Sequence, residues 1–362
     1  MSALPLRPTV FYLHRLGDMV MLSALVQFLH RRYHAPCQVV GTGSWTPCVY
    51  QGSPDVERVW AFGRHLPFPL SRGWRPLVRA LRESAPGPIY VPEYHRRQLP
   101  RVRRMLAVGR VDPARLVFNA DIPERVDERW ADVLVRFGQL TPAGLNAADY
   151  PSPSSSQPWT PRLYVLERER TERDAWLRSR GWSGRELLLI QPSNHRTVRA
   201  ARAPWRRARP DNKAWPIECW VELLRRIHAH SPHALLVLRG APDEDAALGA
   251  IQAAARLAEV VVAGLGLRAT FALCECAHSM ISVDTGPAHA AAALGLPLLM
   301  LYGAMPQRVY LPRGCGGSPV TLDTTPLAMS RSLTLLFCEA DRRIANARSW
   351  VQRCLAMMIP SA

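Results

Sequence analysis

Met280-Ile-Ser-Val-Asp-Thr-Gly-Pro-Ala-His-Ala-Ala-Ala-Ala-Leu-Gly-Leu-Pro-Leu-Leu-Met-Leu301 reads as a strand, a turn, a helix of small residues and a second strand. Met280–Val283 and Leu298–Leu301 are short continuous apolar runs, the pattern of strands covered on both faces. The helix begins near Pro287, and its four alanines let it lie close on a sheet. Strands alternating with helices imply parallel sheets with helices on both sides. Ligands of such sheets bind beyond the carboxyl ends of the strands, which directs attention to the turn after Val283.

The same alternation runs outward in both directions. Thr9–Leu13, Gln38–Val40, Arg58–Phe62, Ile89–Val91 and Leu116–Phe118 read as strands, and Leu22, Leu25, Val26 and Leu29 mark one face of a first helix. Tyr150–Pro158 is rich in Pro and Ser and reads as a linker. The pattern then restarts with an exposed charged helix over Glu167–Arg180. Strands follow at Leu187–Gln191, Ala234–Leu238 and Val260–Val262, with a helix from Ile217 to His230 that has Pro216 at its first position. The tail from Ala328 to Ile359 reads as mostly helical. A chain of 362 residues exceeds one ordinary core, so two α/β domains are expected, and no internal sequence repeat relates them.

Composition removes several classes. A hydrophobic fraction of 48% is too high for a disordered chain. Eight cysteines without a CxxC do not form a disulfide framework, and Cys274-Glu-Cys276-Ala-His278 reads as a packed helix. No apolar run reaches the ~20 residues of a membrane crossing, and Arg7, His14, Arg15 and Asp18 break any leader pattern. The expectation is a reduced, cytoplasmic chain whose membrane contact, if any, is peripheral. The net charge of +17 favours anionic partners. Lys213 is the lone lysine among 46 basic residues, and arginine does not replace a compact titratable ammonium.

Three places carry chemistry. Leu16-Gly17-Asp18 follows the first strand and opens the first helix. Asp18 reads either as a helix N-cap or as a carboxylate that accepts a proton as general base. Asp284-Thr285-Gly286-Pro287-Ala288-His289 offers backbone N–H groups at a helix N-terminus, a hydroxyl and an imidazole, an anion site in miniature. Lys213 precedes the helix after strand Leu187–Gln191 and reads as a point charge on a phosphate. Arginines at 196, 199, 202, 206, 207 and 209 precede it without an acid among them. Arg96, Arg97, Arg101, Arg103 and Arg104 form a second cluster suited to an acidic surface. A rival pattern is Gly264-Leu-Gly266-Leu-Arg-Ala269 after a strand, with Asp284 twenty residues on, which approximates the NAD fingerprint. A basic nucleic-acid-binding protein is the other rival, without a recognisable module.

At Leu16-Gly17-Asp18, Lys213-Ala-Trp215-Pro216, Arg239-Gly-Ala-Pro-Asp-Glu244 and Asp284–His289 through Pro297 to Tyr302-Gly303 and Pro312, the chain resembles the heptosyltransferases, an inverting glycosyltransferase family of the lipopolysaccharide core. The resemblance implies a GT-B fold of two Rossmann-like domains facing across a cleft. The N-terminal acceptor domain would span 1–158 and the nucleotide-sugar domain 159–340, with a helix over 341–362 crossing back to the first. It implies an ADP-heptose donor as co-substrate, an anionic glycolipid acceptor at the inner membrane face, no metal, no other cofactor, no specific nucleic acid and a monomer. Carried over by residue, Asp18 is the base and Lys213 the diphosphate counter-charge. Asp284, Thr285, Gly286, Pro287 and His289 hold the donor. Asp243 or Glu244 reaches the ribose and Leu265 lines the base pocket. Gly17, Arg15, Arg96 and Arg97 face the acceptor.

Overall fold

A computed structural model describes residues 4–63, 68–83, 87–93, 98–119, 122–123, 125–126, 128–156, 158–194, 215–241, 244–302, 307–313, 320–322 and 332–336. The chain divides into two compact units, Met1–Tyr164 and Val165–Ala362, against the 158/159 boundary expected from the linker. The extra residues stay with the first unit for a physical reason. Gln27 Nε2 donates to Thr160 O at 2.9 Å and Arg162 N donates to Ser23 Oγ at 2.9 Å. Trp159 meets Phe28 edge-on, with the Arg31 guanidinium over its ring.

In unit one, β1 (Thr9–Phe11), β2 (Cys37–Thr42), β3 (Val56–Phe62), β4 (Ile89–Val91) and β5 (Leu116–Phe118) form one sheet in the order β3-β2-β1-β4-β5. All its pairings are parallel. The helix α1 (Leu16–Tyr33) is buried almost all round, with Met19–Leu29 continuously out of solvent. A helix apolar on every side must be enclosed, and α2 (Trp45–Tyr50) and α5 (Trp130–Gly138) enclose it with the sheet. On the opposite face, α3 (Trp74–Glu83) and α4 (Leu99–Val108) bury Trp74, Leu77, Leu81, Val102, Met105 and Leu106.

Unit two repeats the plan. Its strands β6 (Leu187–Gln191), β7 (Leu235–Gly240), β8 (Val260–Gly264), β9 (Ser279–Val283) and β10 (Leu298–Tyr302) are parallel in the order β8-β7-β6-β9-β10. Numbered from each unit's own first strand, both orders are 3-2-1-4-5, a duplication of topology that the sequence does not display. One face carries α7 (Ile217–His230) and α8 (Asp245–Ala255) over Leu188, Ile190, Ile281 and Leu299. The other carries α9 (Leu267–Cys276) and α10 (Gly286–Ala293) over Leu189, Met280 and Met300. The alanines of α10 at 288 and 290–293 are all buried. Enlarging one there would overpack the sheet, at about 1–3 kcal/mol. The charged helix α6 (Glu167–Ser179) is tied to α9 by the Arg170 guanidinium, which forks onto Glu275 at 2.7 and 2.8 Å.

The tail departs from the helical expectation. Ser332–Leu336 is a strand, β12, antiparallel to both β10 and β11 (Val320–Leu322). Without it β10 would present an unpaired edge, and a paired edge resolves the exposed N–H and C=O groups. The expected helix over 341–362 lies outside the described residues, as does the arginine-rich stretch 196–209. Pro216 also shifts role. It is the N-cap of α7 at φ −56°, ψ 147°, one residue before the helix begins.

Candidate functional site

In a sheet of order 3-2-1-4-5 the chain leaves strands 1 and 4 in opposite directions, and the crevice beyond their carboxyl ends is the expected ligand site. In unit one that point lies beyond β1 and β4, and it holds His14, Asp18 and Glu93. Arg15 is the N-cap of α1 and Met19 N makes the first helical bond to its carbonyl at 3.0 Å. Asp18 is therefore the third helical residue, not the N-cap, and Gly17 the second. Its carboxylate reaches back to accept from Arg15 N at Oδ2, 3.3 Å away.

The side chain between the two carboxylates is a histidine that the sequence reading passed over. His14 Nε2 lies 2.8 Å from Glu93 Oε1, and Nδ1 lies 3.4 Å from Asp18 Oδ2. Burial disfavours the charged ring, but hydrogen bonds and charge from Asp18 and Glu93 outweigh it and raise the pKa to about 9. His14 is thus an imidazolium at neutral pH. Its ring stacks on Tyr12 at 4.3 Å and 16°, and Trp130 Nε1 donates to the Tyr12 hydroxyl at 3.0 Å. Glu93 is buried to 1% exposure, while the Asp18 side chain keeps 20%.

The equivalent point of unit two lies beyond β6 and β9. Thr285 is the N-cap of α10 in extended conformation, and Gly286 and Pro287 open the helix. Asp284 N donates to Leu301 O at 3.2 Å, fixing the turn to β10. Asp284, Thr285 and His289 are buried, and His289 Nε2 stands 3.9 Å from Asp284 Oδ1. Thr285 Oγ1 is 3.2 Å from Ser282 Oγ. The amide row expected here is narrower than its sequence suggested. Pro287 has no N–H, and Ala288 N donates to Thr285 O at 3.2 Å, so that among the described residues the Thr285 and Gly286 amides remain as donors.

Glu244 sits at the N-cap of α8, beyond β7. Its Oε2 accepts from Ala241 N at 2.7 Å and its Oε1 from Ser193 Oγ at 3.1 Å. Gly240 makes this possible, since a Cβ there would stand 2.6 Å from Glu244 Oε2. Leu265 is half-buried beyond β8 against the α9 face. Lys213, Asp243, Arg96 and Arg97 lie outside the described residues.

The NAD fingerprint does not find its context. It requires the first βα turn of the sheet and a third small residue packed between helix and strand. Gly264 instead ends β8, the strand at the sheet edge, Gly266 follows it, and Ala269 is exposed. Among the described residues no cluster of His, Cys, Asp and Glu could hold a metal ion, and no helix is long and apolar enough to cross a membrane. Burial pushes the Cys274 thiol up to about 12, as for an inert core cysteine.

Unit one also carries two arginine-lined hollows. One of about 380 Å³ is bounded by Phe68, Pro69, Pro100, Arg101 and Arg104. Another of about 470 Å³ is bounded by Trp74, Arg75, Val78, Arg79, Arg82 and Val108. Both combine an apolar floor with guanidinium walls.

The profile of glycosyltransferase family 9 (heptosyltransferase) matches residues 165–314. No curated protein sequence matches the chain. Among solved structures it is similar to a glycosyl transferase family 9 protein from Veillonella parvula, with a TM-score of 0.66 at 14% identity over 86% of each chain. It is also similar to the E. coli ADP-heptose lipopolysaccharide heptosyltransferase II, with a TM-score of 0.65 at 18% identity, covering 97% of this chain and 98% of that one. A third likeness is to an E. coli heptosyltransferase with ADP, with a TM-score of 0.59 at 16% identity, covering 85% and 91%. The likeness shows the fold, two Rossmann-like units of GT-B type.

Proposed function

We propose that this protein, whose residues 165–314 match family 9, is a glycosyltransferase that transfers heptose from ADP-heptose to an anionic core glycolipid with inversion at the anomeric carbon. The observation that carries the reading is that each unit, taken by itself, has its own switch point, and that the two hold different chemistry. Unit one supplies a carboxylate, Asp18, and unit two supplies a helix N-terminus with Asp284, Thr285 and His289. Asp18 takes the proton of the acceptor hydroxyl as its oxygen attacks the anomeric carbon. The bond to the diphosphate breaks on the opposite face, and the electron pair leaves with ADP. The Thr285 and Gly286 amides and the Lys213 ammonium meet the charge that grows on the departing diphosphate. No metal is needed for that step in this reading.

Glu244 and Asp243 are the residues we assign to the ribose, and Leu265 to the adenine. The arginine walls of unit one, with Gly17, Arg15, Arg96 and Arg97, favour an acceptor that carries phosphate or carboxylate on an apolar anchor. The same arginines favour a peripheral stay at an anionic membrane face. E. coli proteins of this fold are described as acting with ADP-heptose on lipopolysaccharide or as holding ADP, which supports the donor assignment.

The test is Asp18→Asn. Transfer from ADP-heptose to heptose-deficient lipopolysaccharide is expected to fall about 10²- to 10⁴-fold, the scale of a lost general base, while the Kd for ADP stays within two-fold, roughly 0.4 kcal/mol. Unchanged turnover removes Asp18 as the base. A thermal shift selective for UDP or GDP over ADP overturns the donor.

A further inference from the structure

We propose that His14 and Glu93 are positioning residues for the Asp18 base, forming a carboxylate–imidazolium–carboxylate chain that aims one oxygen of Asp18 at the acceptor. This inference rests on the reading of Asp18 as base. Three features of the geometry carry it. Both polar contacts that the described residues make with the Asp18 carboxylate, Arg15 N at 3.3 Å and His14 Nδ1 at 3.4 Å, fall on Oδ2, which leaves Oδ1 for the incoming hydroxyl. The ring making that contact cannot turn freely. Glu93 Oε1 anchors Nε2 at 2.8 Å from the loop after a different strand, 79 residues away in the chain. The Tyr12 stack fixes the ring plane, and Trp45 Nε1 holds the His14 carbonyl at 3.1 Å.

The chemistry of the chain follows from which nitrogen each carboxylate takes. With both ring nitrogens facing acceptors, both must donate, so the ring carries its proton on each side. Glu93 is then the third group that orients the second, the logic by which a base or nucleophile is held in an activated constellation. A core salt bridge alone would not need the partner of His14 to remain partly exposed. Asp18 keeps 20% of its side-chain surface, whereas the Glu93 side chain keeps none. The buried carboxylate anchors and the open one reacts.

The experiment compares Glu93→Gln, His14→Ala and His14→Asn in the full chain, with Asp18→Asn as the reference. ADP-heptose and heptose-deficient lipopolysaccharide are the substrates. Glu93→Gln and His14→Ala are expected to lower kcat by about 10- to 100-fold, the scale on which a 1 Å misplacement acts, with the KM for ADP-heptose unchanged. His14→Asn returns an amide donor to the Nδ1 position and is expected to recover part of the loss. Wild-type kcat in both Glu93→Gln and His14→Ala, beside an inactive Asp18→Asn, overturns the positioning role and leaves the base reading intact. An active Asp18→Asn overturns the base reading itself. Should a variant fold poorly, the imidazole of His14 is titrated by NMR in the unaltered chain. A midpoint well above the ordinary histidine value supports the chain, and an ordinary midpoint sinks it.

Discussion

At its switch point unit one gathers two carboxylates and an imidazolium, Asp18, Glu93 and His14, within ion-pair distance. At the matching point unit two sets the Ser282 and Thr285 hydroxyls, 3.2 Å apart, beside the Asp284–His289 pair. There hydroxyls and a side-chain amide make contacts among the described residues, with Gln191 Nε2 donating to Ser193 O at 2.8 Å at the end of β6. The strand order is the same and the chemistry is not. A Rossmann-type sheet fixes where a ligand meets the protein, and the residues after strands one and four decide what is done there. Titratable groups suit moving a proton. Neutral donors at a helix N-terminus suit holding an anion whose charge changes during reaction.

The sharpest way to break this division is to exchange the consequences. Asp18→Asn should reduce transfer by about 10²- to 10⁴-fold without altering ADP affinity. His289→Ala and Asp284→Ala should instead weaken ADP binding, by about ten-fold, or 1.4 kcal/mol, each, measured by calorimetry. ADP affinity that falls in Asp18→Asn and holds in the unit-two variants would reverse the assignment.

A second comparison concerns buried arginine. In unit one, the Arg32 guanidinium is 3% exposed and fully dressed. It donates to Tyr150 O at 3.0 Å, Gly138 O at 2.6 Å, Leu140 O at 2.8 Å and Thr141 Oγ1 at 2.6 Å. These bonds stitch α1 to the end of α5 and to the start of the linker. Arg32→Met strands several buried carbonyls at once, at about 1–3 kcal/mol each. It should cost unit one about 3–5 kcal/mol of stability, read as a lower midpoint in denaturant.

Protonation separates the units as well. His14 titrates at about 9 in the folded chain and near 6.5 unfolded. Its folded pKa is raised, so its stabilisation is complete below pH 6.5 and is lost as pH climbs through 9. The difference corresponds to roughly 3 kcal/mol. Hydrogen exchange, corrected for its intrinsic rise with pH, should accelerate in the peptides of β1 and β4 over that window and not in those of β6 and β9. Equal acceleration in both units would deny His14 its special environment.

Much of the fold was legible in sequence because its signals are local. Ile89–Val91, Leu116–Phe118 and Leu187–Gln191 are apolar runs with nothing competing, and the structure assigns strands over those residues. Ser332–Leu336 was not legible as a strand, because its partners in β10 and β11 are what make it one. The turn Asp284–His289 announced itself through residue types crowded into six positions. Glu93 could not, because a lone glutamate two residues past a strand acquires meaning only when that strand is known to neighbour β1. His14 was missed for the same reason, since its partner lies 79 residues on. Strand order is a non-local fact, and the residues it brings together carry no sequence signature of meeting.

The smallest expected effect tests the other buried arginine. Arg239 is the penultimate residue of β7, 2% exposed on the α9 face, and neither its Nε nor its Nη1 has a hydrogen-bond partner among the described residues. Burial pushes its pKa below the ordinary arginine value, opposed by nearby charge that includes Glu244. A guanidinium taken out of water without full compensation subtracts from stability, and an apolar side chain of similar volume removes that cost. Arg239→Met should therefore be neutral or stabilise unit two by about 1–3 kcal/mol, the opposite sign to Arg32→Met, raising Tm by a few degrees. The same variant reads out function. Unchanged ADP affinity would leave Arg239 as an internal cation that unit two tolerates. A drop in ADP affinity together with a gain in stability would mean that the guanidinium is kept for the donor, trading stability for an anion that the substrate supplies.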